Sequence, residues 1–223
     1  MIPAIFSLGI KPYYNRTSKI FIFGILYIIY LFIIGFRYEI GGDWFTYLNY
    51  YEIFSSLNFS EFLEYLFSYD PLYILINFLS GKIGGGIYLV NTIAGSIFLY
   101  GFTKFCLYQK FPYLSFLIGV PYLVIVVAMG YTRQSMAIGF VFLVYLAIIQ
   151  SKYIKAFLLN TLAVLSHRTA VAIFPLIIFN YVLSNAPSLK KFLGFGILTL
   201  SSFIIAYIFF IPRYDYFLYT YIE

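Results

Sequence analysis

Long uncharged runs alternate with short polar interruptions along most of the chain, and the runs are too long for strands. Residues 20–36 carry no charge and are rich in isoleucine, phenylalanine and leucine; as a helix rising 1.5 Å per residue they cross most of a bilayer core about 30 Å thick. Similar tracts cover roughly residues 87–106, 113–129, 134–149, 154–166, 169–183 and 191–211. Ten-residue segments of strict alternation are absent, so helices rather than a barrel satisfy the backbone in lipid. The pattern predicts an all-α fold, a polytopic transmembrane helical bundle of about 7–8 helices forming one transmembrane domain over residues 1–223. Residues 1–10 read as an interfacial lead-in or the stub of a shortened first helix, because their charges follow the apolar part and no small-residue cleavage site comes after them.

The pattern changes between residues 37 and 86. Six of the eight acids, Glu39, Asp43, Glu52, Glu61, Glu64 and Asp70, fall there among many aromatics. This segment reads as an extracytoplasmic loop region carrying short interfacial or re-entrant helices. Asn58 with Glu61 three residues later has the form of a capping box and predicts a short amphipathic helix over 59–69. Asp70-Pro71 predicts the start of another over 72–79, ended by Ser80-Gly81 and the hinge Gly84-Gly85-Gly86.

A second interruption is sharper. The stretch from Leu165 to Thr169, with His167 and Arg168 inside it, divides a 28-residue apolar tract. A single helix would hold an arginine near the bilayer centre at a cost of about 3 kcal/mol. Two short helices meeting at a wet cavity avoid that cost, and a helix of about 13 residues climbs only about 20 Å, which keeps His167 below the outer surface.

Composition agrees with the pattern and adds a direction. The chain is 63% hydrophobic and 10% charged, against about a quarter charged in soluble domains. Its net charge of +6 is scattered singly between apolar tracts, which argues for topology rather than nucleic acid. With the N-terminus inside, the inner helix ends carry Arg16 and the eight lysines Lys11, Lys19, Lys104, Lys110, Lys152, Lys155, Lys190 and Lys191, while the outer ends carry Arg37, Lys82, Arg133, Arg168 and Arg213. Asp215 and the six acids of the 37–86 loop then also lie outside. Four of five outer cations are arginines, whose planar fork grips phosphate or carboxylate as lysine does not.

The candidate chemistry is therefore on the outer face. It gathers Arg37, Glu39, Asp43, Trp44, Asp70, Arg133, Gln134, His167, Arg168 and Arg213. Each has a plainer reading beside the functional one: the arginines as snorkelling anchors, Asp43 as a turn residue after Gly41-Gly42, Trp44 as an aromatic-belt anchor rather than a sugar platform, and His167 as a buried hydrogen-bonder. Arg133-Gln134 departs furthest from its plain reading, because it breaks two long apolar tracts with a polar pair. Arginines around an outward pocket would neutralise an anion such as a lipid-linked pyrophosphate, while Asp43 or His167 removes a proton from an acceptor hydroxyl. One cysteine, Cys106, excludes an intramolecular disulfide, and one cysteine with one histidine excludes the usual zinc sites. No nucleotide or dinucleotide loop, serine elbow or zincin motif occurs.

Four blocks resemble a known family: Arg37 with Gly41-Gly42-Asp43-Trp44 and Tyr47; Asp70-Pro71-Leu72-Tyr73 before a short helix; Tyr131-Thr132-Arg133-Gln134-Ser135-Met136-Ala137; and Ala163 with His167. In order and spacing they are similar to the EpsG family of bacterial exopolysaccharide proteins, itself similar to Wzy-type O-antigen and capsule polymerases. Gly42 and Trp44 stand where the usual pattern has threonine and tyrosine. The resemblance implies a multi-pass inner-membrane glycosyltransferase joining repeat units on undecaprenyl pyrophosphate at the outer face, without cofactor or metal. By position it implies Arg37, Asp43, Arg133, Gln134 and His167 as the functional set, with the arginines on the pyrophosphate and Asp43 or His167 as base or orienting group; Trp44 and Arg168 are further candidate contacts to the substrate. Membrane lipid, the lipid-linked oligosaccharide, and a flippase and chain-length regulator of the same pathway would be its partners. Members of such families usually run past 300 residues, so the chain is expected to be a short or truncated member. The alternatives are a transferase using a polyprenyl-phosphate sugar, in which Asp43 acts with a divalent cation, and a lipid-linked-sugar transporter, which would need polar groups along the middle of several spans.

Overall fold

The computed structural model describes residues 16–66, 69–184 and 200, and they form an all-helical bundle with no strand among them. The expected tract at 191–211, the lead-in at 1–10, and Arg213 and Asp215 lie outside these residues. In chain order the helices are α1 (Arg16–Gly35), α2 (Trp44–Ser56), α3 (Phe59–Tyr65), α4 (Pro71–Lys82), α5 (Gly86–Tyr108), α6 (Pro112–Gly119), α7 (Thr132–Ile149), α8 (Tyr153–Ser166) and α9 (Phe174–Ser184). Helix α6 widens into a π-helix over Val120–Ala128, and a 3-10 turn over Arg168–Ile173 joins α8 to α9. Among the described residues three helices are long and apolar enough to cross a membrane, Thr17–Gly35, Gly86–Tyr108 and Thr132–Ile149; the others are shorter.

Contacts between helices give their directions. Gly35 of α1 meets Thr92 of α5, and Tyr27 bonds Ser96, so α1 and α5 are antiparallel. Helices α5 and α7 run parallel, since Thr132 lies by Asn91 near their starts and Phe105 meets Tyr145 near their ends. Their crossing is built on Gly101 and Gly139, where a Cβ on either would strike the other helix's backbone, a close approach only small residues allow. Helix α8 returns against α7 through Ala163 by Ala137 and Ala156 by Val144 and Ala147. One end of the bundle therefore collects the end of α1, the starts of α5 and α7, and the end of α8. Of the described lysines, Lys19, Lys104, Lys110, Lys152 and Lys155 fall towards the other end, and Lys82 stands just before the start of α5, the partition that the charge pattern predicts.

The 37–86 segment is more ordered than a loop. Helix α2 was not expected, and it buries Trp44, Tyr47 and Phe54, a spacing of three and seven residues that keeps one side inward. The capping box is present as predicted: the Asn58 side chain accepts from the Glu61 amide at 2.9 Å, and Glu61 accepts from the Asn58 amide. Helix α4 begins at Asp70-Pro71 and buries Tyr73, Ile74, Ile76, Asn77, Phe78 and Ser80, so it packs within the bundle rather than lying on its surface. Gly41 fixes how the segment leaves α1. Its φ is +102°, and a Cβ there would come within 2.5 Å of the Met129 carbonyl oxygen.

Two departures from regular helix have clear causes. Pro121 lies in the π-helix; it lacks the N–H for an i→i−4 bond and crowds the preceding turn, favouring the wider register. At His167 the chain is extended, with φ −160° and ψ 121°, so α8 stops and the tract divides where the sequence pattern places the break.

Candidate functional site

The site centres on Asp70, a residue that the sequence places outside but gives no role. Asp70 stands at the N-cap of α4, where an aspartate normally accepts from the first free amides of its own helix. It makes no such side-chain bond. Its carboxylate, on a residue only 3% exposed, turns instead towards three cationic or basic groups from distant parts of the chain. Arg133 Nη1 at the start of α7 donates to Oδ2 at 3.0 Å. His167 Nδ1, where α8 ends, lies 3.5 Å from the same oxygen, close enough for an ion pair but without hydrogen-bond alignment. Arg168 Nε lies 3.9 Å from Oδ1, and its Nη2 donates to the Tyr69 carbonyl at 2.8 Å.

The guanidinium of Arg133 is also held by rings. Its central carbon lies 5.2 Å from the Tyr50 ring centroid, 5.7 Å from Tyr47 and 6.0 Å from Tyr73. Each ring presents a negative face to the cation. Burial pushes the Tyr47 phenol up from its ordinary value, with Arg133 opposing the shift; the phenol therefore stays neutral and cancels none of the arginine's charge. One carboxylate faces two arginines, which leaves the cluster with net positive charge whether or not His167 is protonated. Arg133, His167 and Arg168 are partly exposed, so an anion from outside can reach them.

Arg133, His167 and Arg168 thus come together as the sequence suggests, around Asp70. The other candidates stand elsewhere. Arg37, expected on the substrate, is 3% exposed. It donates to the Ala128 carbonyl at 2.9 Å, Asn91 Oδ1 at 3.1 Å and Thr132 Oγ1 at 2.6 Å. Those acceptors belong to the π-helix, α5 and α7, so Arg37 ties three helix ends together; burial lowers its pKa to about 10, with Tyr47 and Tyr73 opposing, and it remains a cation at neutral pH. Trp44, weighed as a sugar platform, is 4% exposed and packs in the core with Tyr47, Tyr73, Val90 and Met136. Its ring also meets Tyr38 edge-on. Asp43, expected as base, is partly exposed at the N-cap of α2 without a capping side-chain bond, and forms no ion pair with the arginines of the cluster. Gln134 is exposed and, one position on from Arg133, sits about 100° round the helix from it.

Sequence reasoning underrated Asp70 and the tyrosines. Asp-Pro reads as a helix start, which it is, and the backbone carbonyl of Asp70 does accept from Tyr73 and Ile74. Nothing in that pattern says that the side chain leaves the cap. Tyrosines carry little signal in this sequence, because the chain holds 25 of them. Among the described residues no group of three or more histidine, cysteine, aspartate or glutamate side chains is placed to hold a metal ion.

Fold and site together define a helical membrane protein with a cationic, carboxylate-anchored cluster where several helices end. Comparison with known families carries this further: residues 20–223 match the EpsG family, and the chain belongs to it. Membership suggests a polysaccharide polymerase-like role. No curated protein and no solved structure matches the chain.

Proposed function

We propose that the protein is a multi-pass inner-membrane glycosyltransferase that polymerises undecaprenyl-pyrophosphate-linked repeat units of a surface or exported polysaccharide. The observation that carries this reading is the meeting of Asp70, Arg133, His167 and Arg168 from three separate segments. Arg133 and Arg168 would take the pyrophosphate. His167 would serve as base through Nε2, with Asp70 facing Nδ1 and favouring the tautomer that leaves the other nitrogen free to accept a proton. The acceptor hydroxyl oxygen then bonds the anomeric carbon as the bond from that carbon to the phosphate oxygen breaks. The electron pair departs with undecaprenyl pyrophosphate, and the hydroxyl proton passes to His167.

Charge grows on the leaving pyrophosphate as that bond breaks, so arginines aimed at it stabilise the transition state more than the ground state. Nucleotide energy is not needed, because the glycosyl pyrophosphate already carries a good leaving group. A flippase delivering substrate and a regulator of chain length fit as partners of the same step. The test is Arg133→Lys, which keeps the charge but loses the fork. Long-chain polysaccharide is expected to disappear while the protein accumulates in membranes at its usual level; persistence of full-length chains in both Arg133→Lys and Arg133→Ala would refute the reading.

A further inference from the structure

Beside the anion cluster stands a ring that the proposed chemistry has not used. Tyr69 is 36% exposed and immediately precedes Asp70, so its Cα lies about 3.8 Å from that of the central carboxylate residue. Its position is fixed from two sides. The backbone is tied by Arg168 Nη2, which donates to its carbonyl at 2.8 Å. The ring packs on Tyr50 at 5.7 Å and on Phe54 at 5.6 Å between centroids, and those two rings stack on one another at 5.8 Å. Tyr50 is in turn the ring nearest the Arg133 guanidinium, at 5.2 Å. Both arginines that face Asp70 are therefore connected to Tyr69, one through its backbone and the other through the ring beneath it.

We propose that Tyr69, braced by Tyr50 and Phe54, is the stacking platform for the sugar joined directly to the pyrophosphate. This deepens the reading of the site as one for a pyrophosphate-linked glycan and rests on it. A phosphate seated on Arg133 and Arg168 leaves the first sugar one bond away, within the span of a single residue. The axial C–H face of a pyranose is apolar and slightly positive, the complement of an aromatic face. The phenol adds a group able to bond a sugar hydroxyl. A ring held by two neighbours loses little freedom when a sugar stacks on it, which favours binding over an unsupported side chain. Trp44, the chain's one tryptophan, is buried in the core and cannot supply such a face. The exposed ring of Tyr38 packs edge-on against the buried Trp44.

The experiment uses the full chain in lipid nanodiscs with two probes: undecaprenyl pyrophosphate alone, and lipid-linked repeat units extracted from cells lacking the polymerase. Tyr69→Ala is expected to bind the bare pyrophosphate lipid within about twofold of the parent and to bind the sugar-bearing lipid at least tenfold more weakly. Tyr69→Phe is expected to keep most of the affinity for the sugar-bearing lipid, and Tyr69→Leu to lose it. Equal weakening towards both probes in Tyr69→Ala, or no weakening towards either, overturns the platform. An interfacial anchor would lower membrane abundance in Tyr69→Ala without separating the probes, and that outcome also overturns it. Arg133→Ala in parallel isolates the underlying reading: it should lose both probes, and retention of both would defeat the pyrophosphate site whatever Tyr69 does.

Discussion

Arg37→Lys separates a structural arginine from a substrate ligand. The guanidinium makes three donations to three different segments, to Ala128, Asn91 and Thr132. A hydrogen bond from a charged donor contributes about 1.5–3 kcal/mol net. An ammonium on a flexible stem is a single point where the fork reached three ways, so one or two of these bonds survive and roughly 2–4 kcal/mol is lost. Arg37→Ala should cost more, about 3–5 kcal/mol, because buried acceptors lose their donor outright. For a chain of this size 2–4 kcal/mol corresponds to a fall of roughly 5–15 °C in the unfolding midpoint. The assay is thermal unfolding of purified protein in nanodiscs, paired with binding of undecaprenyl pyrophosphate well below the transition. The expected result is a lower midpoint with affinity nearly unchanged in whatever fraction remains folded. A normal midpoint with affinity reduced tenfold or more would return Arg37 to the substrate, where its position in the sequence suggests it belongs.

Other perturbations probe separate links. Asp70→Asn keeps the shape but removes the charge that faces His167; polymer synthesis in membranes should fall at least a hundredfold through the catalytic rate while affinity for the pyrophosphate lipid holds or improves, since a competing carboxylate is gone. Gly41→Ala forces a side chain into a backbone at φ +102° and into the Met129 carbonyl; steady-state protein in membranes should drop severalfold, as measured by immunoblot against the parent. Gly139→Leu should separate α5 from α7 and prevent stable accumulation, whereas Gly24→Ala, where a Cβ would meet nothing within 4 Å, should be silent in the same blot. Polymerisation by reconstituted protein should be unaffected by EDTA; inhibition that a divalent cation reverses would favour the polyprenyl-phosphate transferase with a metal-assisted carboxylate.

The helices of the bundle were readable because lipid imposes a simple rule, that an uncharged run of sufficient length satisfies its own backbone. Hence α1, α5 and α7 lie within a few residues of their predicted limits, and the break at His167-Arg168 occurs where burying an arginine would be expensive. Helix α2 was obscured because its buried residues Trp44, Tyr47 and Phe54 sit in a polar context of Asn49, Glu52 and Ser55 that also suits a loop. The site was readable by halves. Charge and topology brought Arg133, His167 and Arg168 to one end, but which carboxylate would meet them depended on three-dimensional packing. Asp43 and Asp70 both follow turn-like sequence and both begin helices; only the packing of α4 beside α8 and the start of α7 selects Asp70. Arg37 illustrates the same gap, since an arginine past a helix end looks alike from sequence whether its fork faces a ligand or the ends of neighbouring helices.

That division of labour among the arginines bears on how the site would turn over. A site of fixed, fully paired arginines would have nothing to offer a phosphate; one of unpaired arginines would hold the product too well. Arg37 approaches the first condition, with its bonds committed to protein acceptors. Arg133 lies between the two. Its bond to Asp70 is made by a carboxylate that has an alternative at hand, the uncapped start of its own helix, where aspartate is favourable by about 0.5–2 kcal/mol. An arriving pyrophosphate can therefore take the Arg133 fork while Asp70 shifts towards α4, and the reverse exchange would help the lipid product leave. On this account Asp70→Asn should slow product release as well as chemistry, so undecaprenyl pyrophosphate should dissociate from the variant several times more slowly than from the parent in a direct washout measurement. An unchanged dissociation rate in that variant would mean that Asp70 acts on His167 alone.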